Sequence, residues 1–550
     1  MSYRRQRVAE AANDLAKRTQ LHLERISSDN AYDAAQRRVT DRYGQAIEQL
    51  GNQESALVRV GGMYSLMRLA QDHRDLRQPA VDLLCAYLRV PFEPPLVAGG
   101  QSRKLDRILA EGEGEAADGS SLDPNLAEGV QELQVRLTAQ RLLRRYLAAG
   151  GDVSRIFGGS IYESSWPGTA LDLTGAALVD FDFSGCRASS AIFRQASFFG
   201  NAMITDAIFD GSADFRGANF TGAADFRRAS FGGEAEFEGA CFNGPALLTA
   251  ALFSHSAYFG GYDEPDGVSF MEEARFDRAR FQEDAIFRRA RFDKRADFTS
   301  VQFAAKADFG MVTFGGDTVF STGNFGGDST FGRAHFTGPP RQVGLPVVDF
   351  RKSTFRNNAY LAESVWDAPT DFGDASFSCE AFFASSQFNE RVSFNGVHFG
   401  YETRFDGAMF KDSTFGGGIF EGSSVFWSAH FRGDADFSDA QFSQGATFDS
   451  AHFYRSAKFI KVKFHGDSAF YGANFEGAVD FRDAKISTAI NEHNYAEGRV
   501  PIRDKRGNKQ RDVRRWPPGW RVEPSGQGDN QSYLVRVVPD DNGPRSEATP

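Results

Sequence analysis

Large apolar residues recur through the middle of the chain at alternating steps of five and six. In the stretch ADFRGANFTGAADFRRASFGG, which begins at Ala213, they are Phe215, Phe220, Phe226 and Phe231. The rhythm runs from position 193 to position 486 and gives 26 pairs, in which 47 of the 52 positions are Phe. The exceptions are Ile204, Leu248, Leu361, Trp366 and Ile486. The chain is therefore a repeat protein with an eleven-residue unit and two apolar anchors per unit.

The spacing of the anchors favours strands over helix. Steps of five place successive side chains about 140° apart around a helix, whereas an eleven-residue helical repeat needs apolar residues at steps of three and four. Two residues before most anchors stands an alanine, such as Ala213 or Ala218, and positions two apart in a strand point to the same face. Each unit is predicted to bury one small and one large side chain in short strands. Tight corners, where Gly tolerates a positive φ, would wind these strands into a parallel β-solenoid.

The pattern A-D-F-x-x-A-x-F resembles that of the pentapeptide repeat family, whose motif is A-(D/N)-(L/F)-x-x. The stretch ALDLTGAALVDFDFSG from Ala170 is similar to the plain five-residue form, with Leu173, Leu178 and Phe183 at steps of five. The resemblance covers residues 168–490 and implies a mainly β fold, a right-handed quadrilateral parallel β-helix with four faces per coil. The extra residue in every second unit predicts coils of about 22 residues with two enlarged corners.

Three places break the rhythm. Six residues are added at 260–268 and eight at 337–349, and one residue is missing between Phe410 and Phe415. Loops that leave a regular rod are where repeat proteins place binding residues. The two loops are therefore candidate docking surfaces, and the alternative is that they are tolerated insertions at corners.

Helices are predicted on the amino-terminal side of the repeats. Residues 1–95 are expected to form an α-helical domain. Its stretch RYGQAIEQLGNQESALVRVGGMYSLMRLAQD, residues 42–72, resembles the helical preamble of larger bacterial members of the family. Its helical spacing is carried by Leu57, Val60, Tyr64 and Met67, and Pro79 suits the first turn of a further helix. Residues 96–125 are expected to form a flexible linker. Residues 126–150, with Val130, Leu133, Leu137 and Leu147 on one stripe, are expected to form a helix that leads into or caps the solenoid.

Charge separates the candidate functions. Carboxylates recur at the outward position before the anchor, at Asp214, Asp225, Glu236, Asp297 and Asp308. Some members of the family act as mimics of duplex DNA and bind bacterial topoisomerases, so the resemblance makes that role a candidate. Residues 171–490 contain 42 Asp and Glu against 29 Lys and Arg, a net charge of −13. A duplex of the expected length, about 65 to 70 Å, carries about 40 negative charges, which the chain does not approach.

Two segments are basic instead. Eight of the 21 residues at 275–295 are Lys or Arg, and this basic collar is either a binding site or a salt-bridged solvated band. The tail at 491–550 is basic at 499–515, with eight Lys or Arg against two Asp, and it contains a possible capping strand in SYLVRVV. The basic run could contact nucleic acid or an anionic surface, or it is a solvated tail.

The sequence predicts no catalytic, cofactor-binding or metal site. It has no phosphate loop, HExxH or GxSxG, and its four cysteines, interpreted as buried thiols in a reducing cytosol, form no CxxC pair. His430 and His452 stand 22 residues apart and are expected to stack on adjacent coils. Two imidazoles could share a metal, but they lack the further ligands that zinc requires.

The resulting prediction is a noncatalytic, cytoplasmic bacterial scaffold or protein-interaction module without a membrane span. The alternative is a DNA mimic that binds a type II topoisomerase such as gyrase. An enzyme with a groove along the β-helix is a third class and would require clustered carboxylates or histidines. We expect an unidentified protein partner, no cofactor, no direct binding of nucleic acid and a monomer.

Overall fold

The computed structural model describes residues 2–95, 124–149, 166–261, 267–338, 347–466, 468–470, 472–486, 500–501, 520–524 and 531–536. The chain divides into two compact units, residues 1–171 and 172–550. The first is helical and the second contains the repeats. The flexible linker predicted at 96–125 lies, up to residue 123, outside the described residues.

The first unit is built from helices, so the helical amino-terminal region is present. They are the α-helices Ser2–Leu50, Ala56–Asp72, Arg77–Arg89 and Pro124–Leu147 and the 3-10 helix Arg74–Leu76. In the second helix Met63, Leu66 and Met67 are buried, whereas Leu57 is 83% exposed and Tyr64 is 52% exposed. The predicted apolar stripe was therefore wrong at these two positions, because the buried stripe lies about one residue further round the helix.

A partly buried polar cluster joins three helices of this unit around Glu132. Its carboxylate accepts hydrogen bonds from Arg59 at 3.1 Å, Arg136 at 2.8 Å and the Tyr87 hydroxyl at 2.8 Å. Arg136 is 3% exposed and also donates to the carbonyl of Leu88. Burial and the Glu132 carboxylate raise the pKa of Tyr87 well above its ordinary value.

The last helix of the unit buries only part of its predicted stripe. Leu133 and Leu147 are buried, while Val130 and Leu137 are partly exposed. That this helix leads into or caps the solenoid stays a prediction.

Four parallel sheets form the faces of the solenoid, numbered here in the order in which the chain reaches them. The strands of face 1 are Ala170–Asp172, Ser190–Ile192, Ala213–Asp214, Ala235–Glu236, Ala257–Tyr258, Ala285–Ile286, Ala307–Asp308, Ser329–Thr330, Ala359–Tyr360, Ala381–Phe382, Thr403–Arg404, Ser424–Val425 and Ala446–Thr447. The strands of face 2 are Ala177–Val179, Ser197–Phe199, Asn219–Phe220, Cys241–Phe242, Ser269–Phe270, Arg291–Phe292, Thr313–Phe314, His335–Phe336, Val365–Trp366, Gln387–Phe388, Met409–Phe410, His430–Phe431, His452–Phe453 and Asn474–Phe475.

The other two faces complete each coil. The strands of face 3 are Ala202–Met203, Ala224–Asp225, Ala246–Leu247, Ala274–Arg275, Ala296–Asp297, Thr318–Val319, Val348–Asp349, Thr370–Asp371, Val392–Ser393, Ser413–Thr414, Ala435–Asp436, Ala457–Lys458 and Val479–Asp480. The strands of face 4 are Arg187–Ala188, Ile208–Phe209, Ser230–Phe231, Leu252–Phe253, Arg280–Phe281, Gln302–Phe303, Asn324–Phe325, Thr354–Phe355, Ser376–Phe377, His398–Phe399, Ile419–Phe420, Gln441–Phe442, Lys463–Phe464 and Lys485–Ile486.

The register confirms the predicted coil. Ala224 pairs with Ala246 and Phe231 with Phe253, so hydrogen-bonded neighbours are 22 residues apart. The molecule is thus a parallel β-solenoid of about 13 turns. In the first coil Ala188 occupies the fourth anchor position, in register with Phe209.

Phenylalanine rings fill the interior in two arrangements. Along one face they stack in parallel, as Phe220 does on Phe242 with centroids 4.5 Å apart and planes 1° apart. Between faces they meet edge to face, as Phe215 meets Phe226 at 5.4 Å and 86°. Both geometries suit the ring quadrupole. The larger Trp366 is accommodated because its indole N–H donates to Ser364 Oγ at 2.8 Å, where the repeat usually has alanine.

The corners use glycine in the predicted way at some positions, such as Gly239 with a φ of 67°, and in a second way at others. The five-residue corners contain a residue with positive φ that is often not glycine, such as Arg228 at 57° or Ser300 at 56°. At the six-residue corners glycine is needed for space, because a Cβ on Gly244 would lie 2.4 Å from the carbonyl carbon of Gly222 in the preceding coil. Glycine therefore serves both the positive φ of some corners and the close approach of successive coils.

The irregular coils keep the aromatic stack. Across the first added segment Phe259 stacks on Phe287 at 4.5 Å, and across the shortened coil Phe394 stacks on Phe415 at 4.9 Å. The added residues therefore leave the core unchanged. Beyond the solenoid, Val500–Pro501, Trp520–Pro524 and Gln531–Arg536 form an antiparallel sheet, so the strand predicted in SYLVRVV has two described partners.

Candidate interaction surface

The outward residues of the strands form the surface of the solenoid. On faces 1 and 3 the outward residue stands between the small residue and the anchor, as Asp225 stands between Ala224 and Phe226. On faces 2 and 4 it holds the same position, as Ser230 stands between Ala229 and Phe231. Because each coil stacks on the next in register, outward residues line up in rows along the four faces.

The outward row of face 3 carries six aspartates among its thirteen positions, and each is paired with a cation. They are Asp225, Asp297, Asp349, Asp371, Asp436 and Asp480, with partners at 2.5 to 3.9 Å. The row is interrupted by residues such as Leu247, Arg275 and Lys458. Face 3 therefore does not present a continuous acidic stripe of the kind that duplex mimicry requires.

Two carboxylates that were predicted to point outward are buried instead. Asp214 is 7% exposed and Asp308 is 2% exposed. Each side chain folds back to accept the backbone N–H two residues later, from Arg216 at 3.0 Å and from Gly310 at 2.9 Å. Burial works to raise the pKa of Asp214, but hydrogen bonds from Arg216 and Arg194 outweigh it and lower that pKa.

Glu238 lies beside this cluster and behaves in the opposite way. Burial, helped by the Glu236 carboxylate and opposed by Arg216, raises the pKa of Glu238 to about 7. Its Oε2 atom is buried without a hydrogen-bond partner among the described residues. Glu236 itself is paired with Arg216 at 2.8 Å.

The basic collar at 275–295 is largely a salt-bridged band. Arg275 pairs with Glu273 at 3.0 Å, Arg291 with Asp293 at 2.5 Å, and Arg295 with Asp297 at 2.8 Å. Arg278 and Arg288 also have acidic partners. The collar runs around several faces rather than forming one patch, which favours the solvated band over a binding site.

His430 and His452 are in register on face 2, with ring centroids 6.2 Å apart. His452 stacks on Tyr454 at 3.7 Å, and its Nε2 lies 2.8 Å from Glu476. Burial, followed by the nearby His452 and Arg432, lowers the pKa of His430. Within the described part of the chain, no group of three or more His, Cys, Asp or Glu could hold a metal ion.

The cysteines only partly match their interpretation. Cys85 and Cys186 are buried, but Cys241 and Cys379 are partly exposed, because Cys241 occupies the outward position before Phe242 and Cys379 lies at the corner before Ala381. None of the helices that the structure describes is long and apolar enough to cross a membrane.

The predicted docking loops fall mostly outside the described residues, at 262–266 and 339–346, as does most of the basic run at 499–515. The base of the first loop is described. The Val268 N–H donates to the Phe259 carbonyl at 2.9 Å and closes the loop where it leaves the coil.

An exposed aromatic cluster on face 1 was not predicted from the sequence. Tyr401 is 64% exposed and Trp427 is 55% exposed, at opposite corners of face 1 on adjacent coils. On the same face Tyr360 and Phe382 point outward and stack at 5.2 Å and 2°. The signal was available, since Tyr401, Phe382 and Trp427 stand outside the anchor rhythm and Trp is rare in this chain.

The four-sided solenoid with its stacked anchors defines a class, the parallel β-solenoid repeat proteins. Comparison with protein families matches residues 204–252, 426–472 and 437–485 to pentapeptide repeats (9 copies). These segments of the solenoid therefore match the pentapeptide repeat family, and the described coils between them share the same phenylalanine-rich repeat. Neither the curated proteins nor the solved structures with which it was compared give a match.

Proposed function

We propose that this protein is a noncatalytic, cytosolic protein-interaction or scaffold module. The observation that carries the proposal is that the solenoid has a uniform interior and a variable surface. Its interior is filled by anchors such as Phe215 and by small residues such as Ala213, both 0% exposed, so variation from coil to coil lies on the surface. Pentapeptide-repeat β-solenoids are generally structural or interaction modules, which supports the same role.

A DNA mimic directed at gyrase is the second candidate. The formal net charge of −11 and the six aspartates of face 3 favour it. The pairing of those aspartates with cations weighs against it, because a paired carboxylate projects little negative potential. The scaffold role is therefore the better supported of the two.

Reconstitution with a purified partner tests the proposal. The full chain is tagged and used to capture a protein from the lysate of its own source, and that protein is then purified and mixed with the chain. A complex of fixed stoichiometry, formed without turnover of any small molecule, is the expected result. Failure of every captured protein to rebind in purified form would refute the module function.

The first loop offers a structural variant for that complex. Replacing residues 260–268 by a plain corner should preserve folding, because Phe259 stacks on Phe287 irrespective of the added residues. If the loop docks the partner, the variant loses binding while its melting temperature stays unchanged. Loss of folding would show the loop to be structural.

A further inference from the structure

The outward row of face 1 mixes apolar and charged residues. Near its start Ile192 is followed by Asp214 and Glu236. Further along, the row becomes Tyr360, Phe382, Arg404 and Val425, which follow one another in strand register. This part of the face is therefore predominantly apolar, although it lies at the surface.

Two large side chains widen this row at its corners. Tyr401 and Trp427 are the most exposed large apolar residues among those described in the solenoid. Their backbones are fixed, because the Gly407 N–H donates to the Trp427 carbonyl at 2.9 Å and the next coil packs at Gly422 directly against the backbone of Tyr401. The face-1 patch is Tyr360, Phe382, Tyr401, Arg404, Val425 and Trp427. Aromatic residues and arginine on rigid supports are the residue types that dominate protein interfaces.

The charge around the patch is negative. Arg404 donates to Asp406 at 3.1 Å and lies 3.8 Å from Glu402, so its charge is already satisfied on both sides. Glu380, at the corner before Phe382, adds a further carboxylate. The three carboxylates against one guanidinium leave a net charge of −2 at the rim of an aromatic surface. Such a surface is complementary to a cation that carries apolar side chains.

We propose that the face-1 patch binds a short cationic segment of a partner protein, with one or two large apolar side chains between its Lys or Arg residues. This inference rests on the proposed function and specifies the chemistry of the partner. The patch spans four strands, about 14 Å at roughly 4.8 Å per coil, which is the length of about nine helical residues. The apolar side chains pack between Tyr401 and Trp427, and the cations approach Glu380 and the Glu402–Arg404–Asp406 group, which together carry the net charge of −2.

Fluorescence anisotropy tests this proposal on the full chain. The probe is a fluorescein-labelled twelve-residue peptide that alternates Arg or Lys with Leu and Trp, and its matched control carries Glu at every basic position. Binding of the basic probe, weakened about tenfold by Trp427→Ala or Tyr401→Ala, is expected. Ile419→Ala is the matched control variant, because Ile419 is a 38% exposed apolar residue on face 4, outside the patch. This substitution should leave the affinity for the probe within about twofold.

The electrostatic part has its own test. Glu402→Gln combined with Asp406→Asn should weaken the basic probe and flatten its dependence on salt. The proposed binding site would be overturned if the acidic probe bound as tightly as the basic one, or if Ile419→Ala and Trp427→Ala lost equal affinity for the basic probe. A purified partner that binds the Trp427→Ala chain with full affinity would overturn the patch alone and leave the module function standing.

Discussion

Replacing Phe226 by aspartate tests whether the anchors carry the stability of the solenoid. Phe226 is 0% exposed and meets Phe215 at 5.4 Å and Phe237 at 5.8 Å, both edge to face. A buried Phe hides about 150 to 250 Å², worth roughly 4 to 6 kcal/mol at about 25 cal/mol per Å². The variant loses that contribution and also places an unpaired carboxylate in an apolar interior.

The neighbours of Phe226 on its own face supply the control. They are Ile204 and Leu248, so this column already accommodates aliphatic side chains. Phe226→Leu should therefore cost only about 1 to 2 kcal/mol. Phe226→Asp should cost more than about 5 kcal/mol, a large part of the stability of a typical domain.

Thermal unfolding followed by circular dichroism measures both variants. The expected order of melting temperature is wild type, then Phe226→Leu slightly below it, then Phe226→Asp far below. Hydrogen exchange should place the loss in the coils next to residue 226, because each coil contacts only its neighbours. An unchanged melting temperature for Phe226→Asp would refute the assignment of this residue to the core.

Four further variants test three other features. Gly62→Ala should lower the melting temperature, because its Cβ would lie 2.8 Å from the Ala46 carbonyl oxygen. Its control is Gly61→Ala, where the added Cβ meets open space and should raise stability by about 0.5 to 1 kcal/mol. Equal effects of the two variants in thermal melts would contradict this. Glu132→Ala removes the carboxylate that Arg59, Tyr87 and Arg136 share, although both arginines keep backbone carbonyl acceptors, and it should cost about 2 kcal/mol in denaturant unfolding; a loss below about 0.5 kcal/mol would contradict the cluster. In the folded protein the pKa of Glu238 is raised from 4.5 to about 7, so wild-type stability is lost as the pH rises from 4.5 to 7. Glu238→Gln has no such loss. It should be more stable than wild type by about 1 kcal/mol above pH 7, after a discount for solvent screening, and equal to wild type below pH 4.5. A difference between the two proteins that does not vary with pH would contradict the pKa assignment.

The core could be predicted from the sequence because it depends on a short period. Ala213 and Phe215 share a face by strand alternation alone, and the eleven-residue repeat fixes the pairing of successive coils. The positions of the added segments followed from the same count, since Phe259 and Phe287 had to remain in one stack. The missing anchor at Ala188 was not anticipated, because a small residue gives no signal in a search for large ones.

The surface was less accessible to sequence reasoning because it depends on side-chain geometry. Asp214 was placed outward correctly by alternation, but its carboxylate bends back to the Arg216 N–H and is buried. The face-3 row reads as acidic in the sequence, whereas Asp349 is neutralised by Arg351 two residues later. The buried stripe of the second helix differed by one residue because periodicity alone does not say which neighbouring helix it meets.

The choice between the interaction module and the DNA mimic depends on the pairing of carboxylates along face 3, and inhibition of DNA gyrase tests it most directly. Purified bacterial gyrase supercoils relaxed plasmid in the presence of increasing amounts of the full chain. We predict unchanged supercoiling up to tens of micromolar protein, because the aspartates of face 3 are paired with arginine or lysine. Inhibition at low micromolar protein would contradict the interaction-module account and establish the DNA mimic in its place.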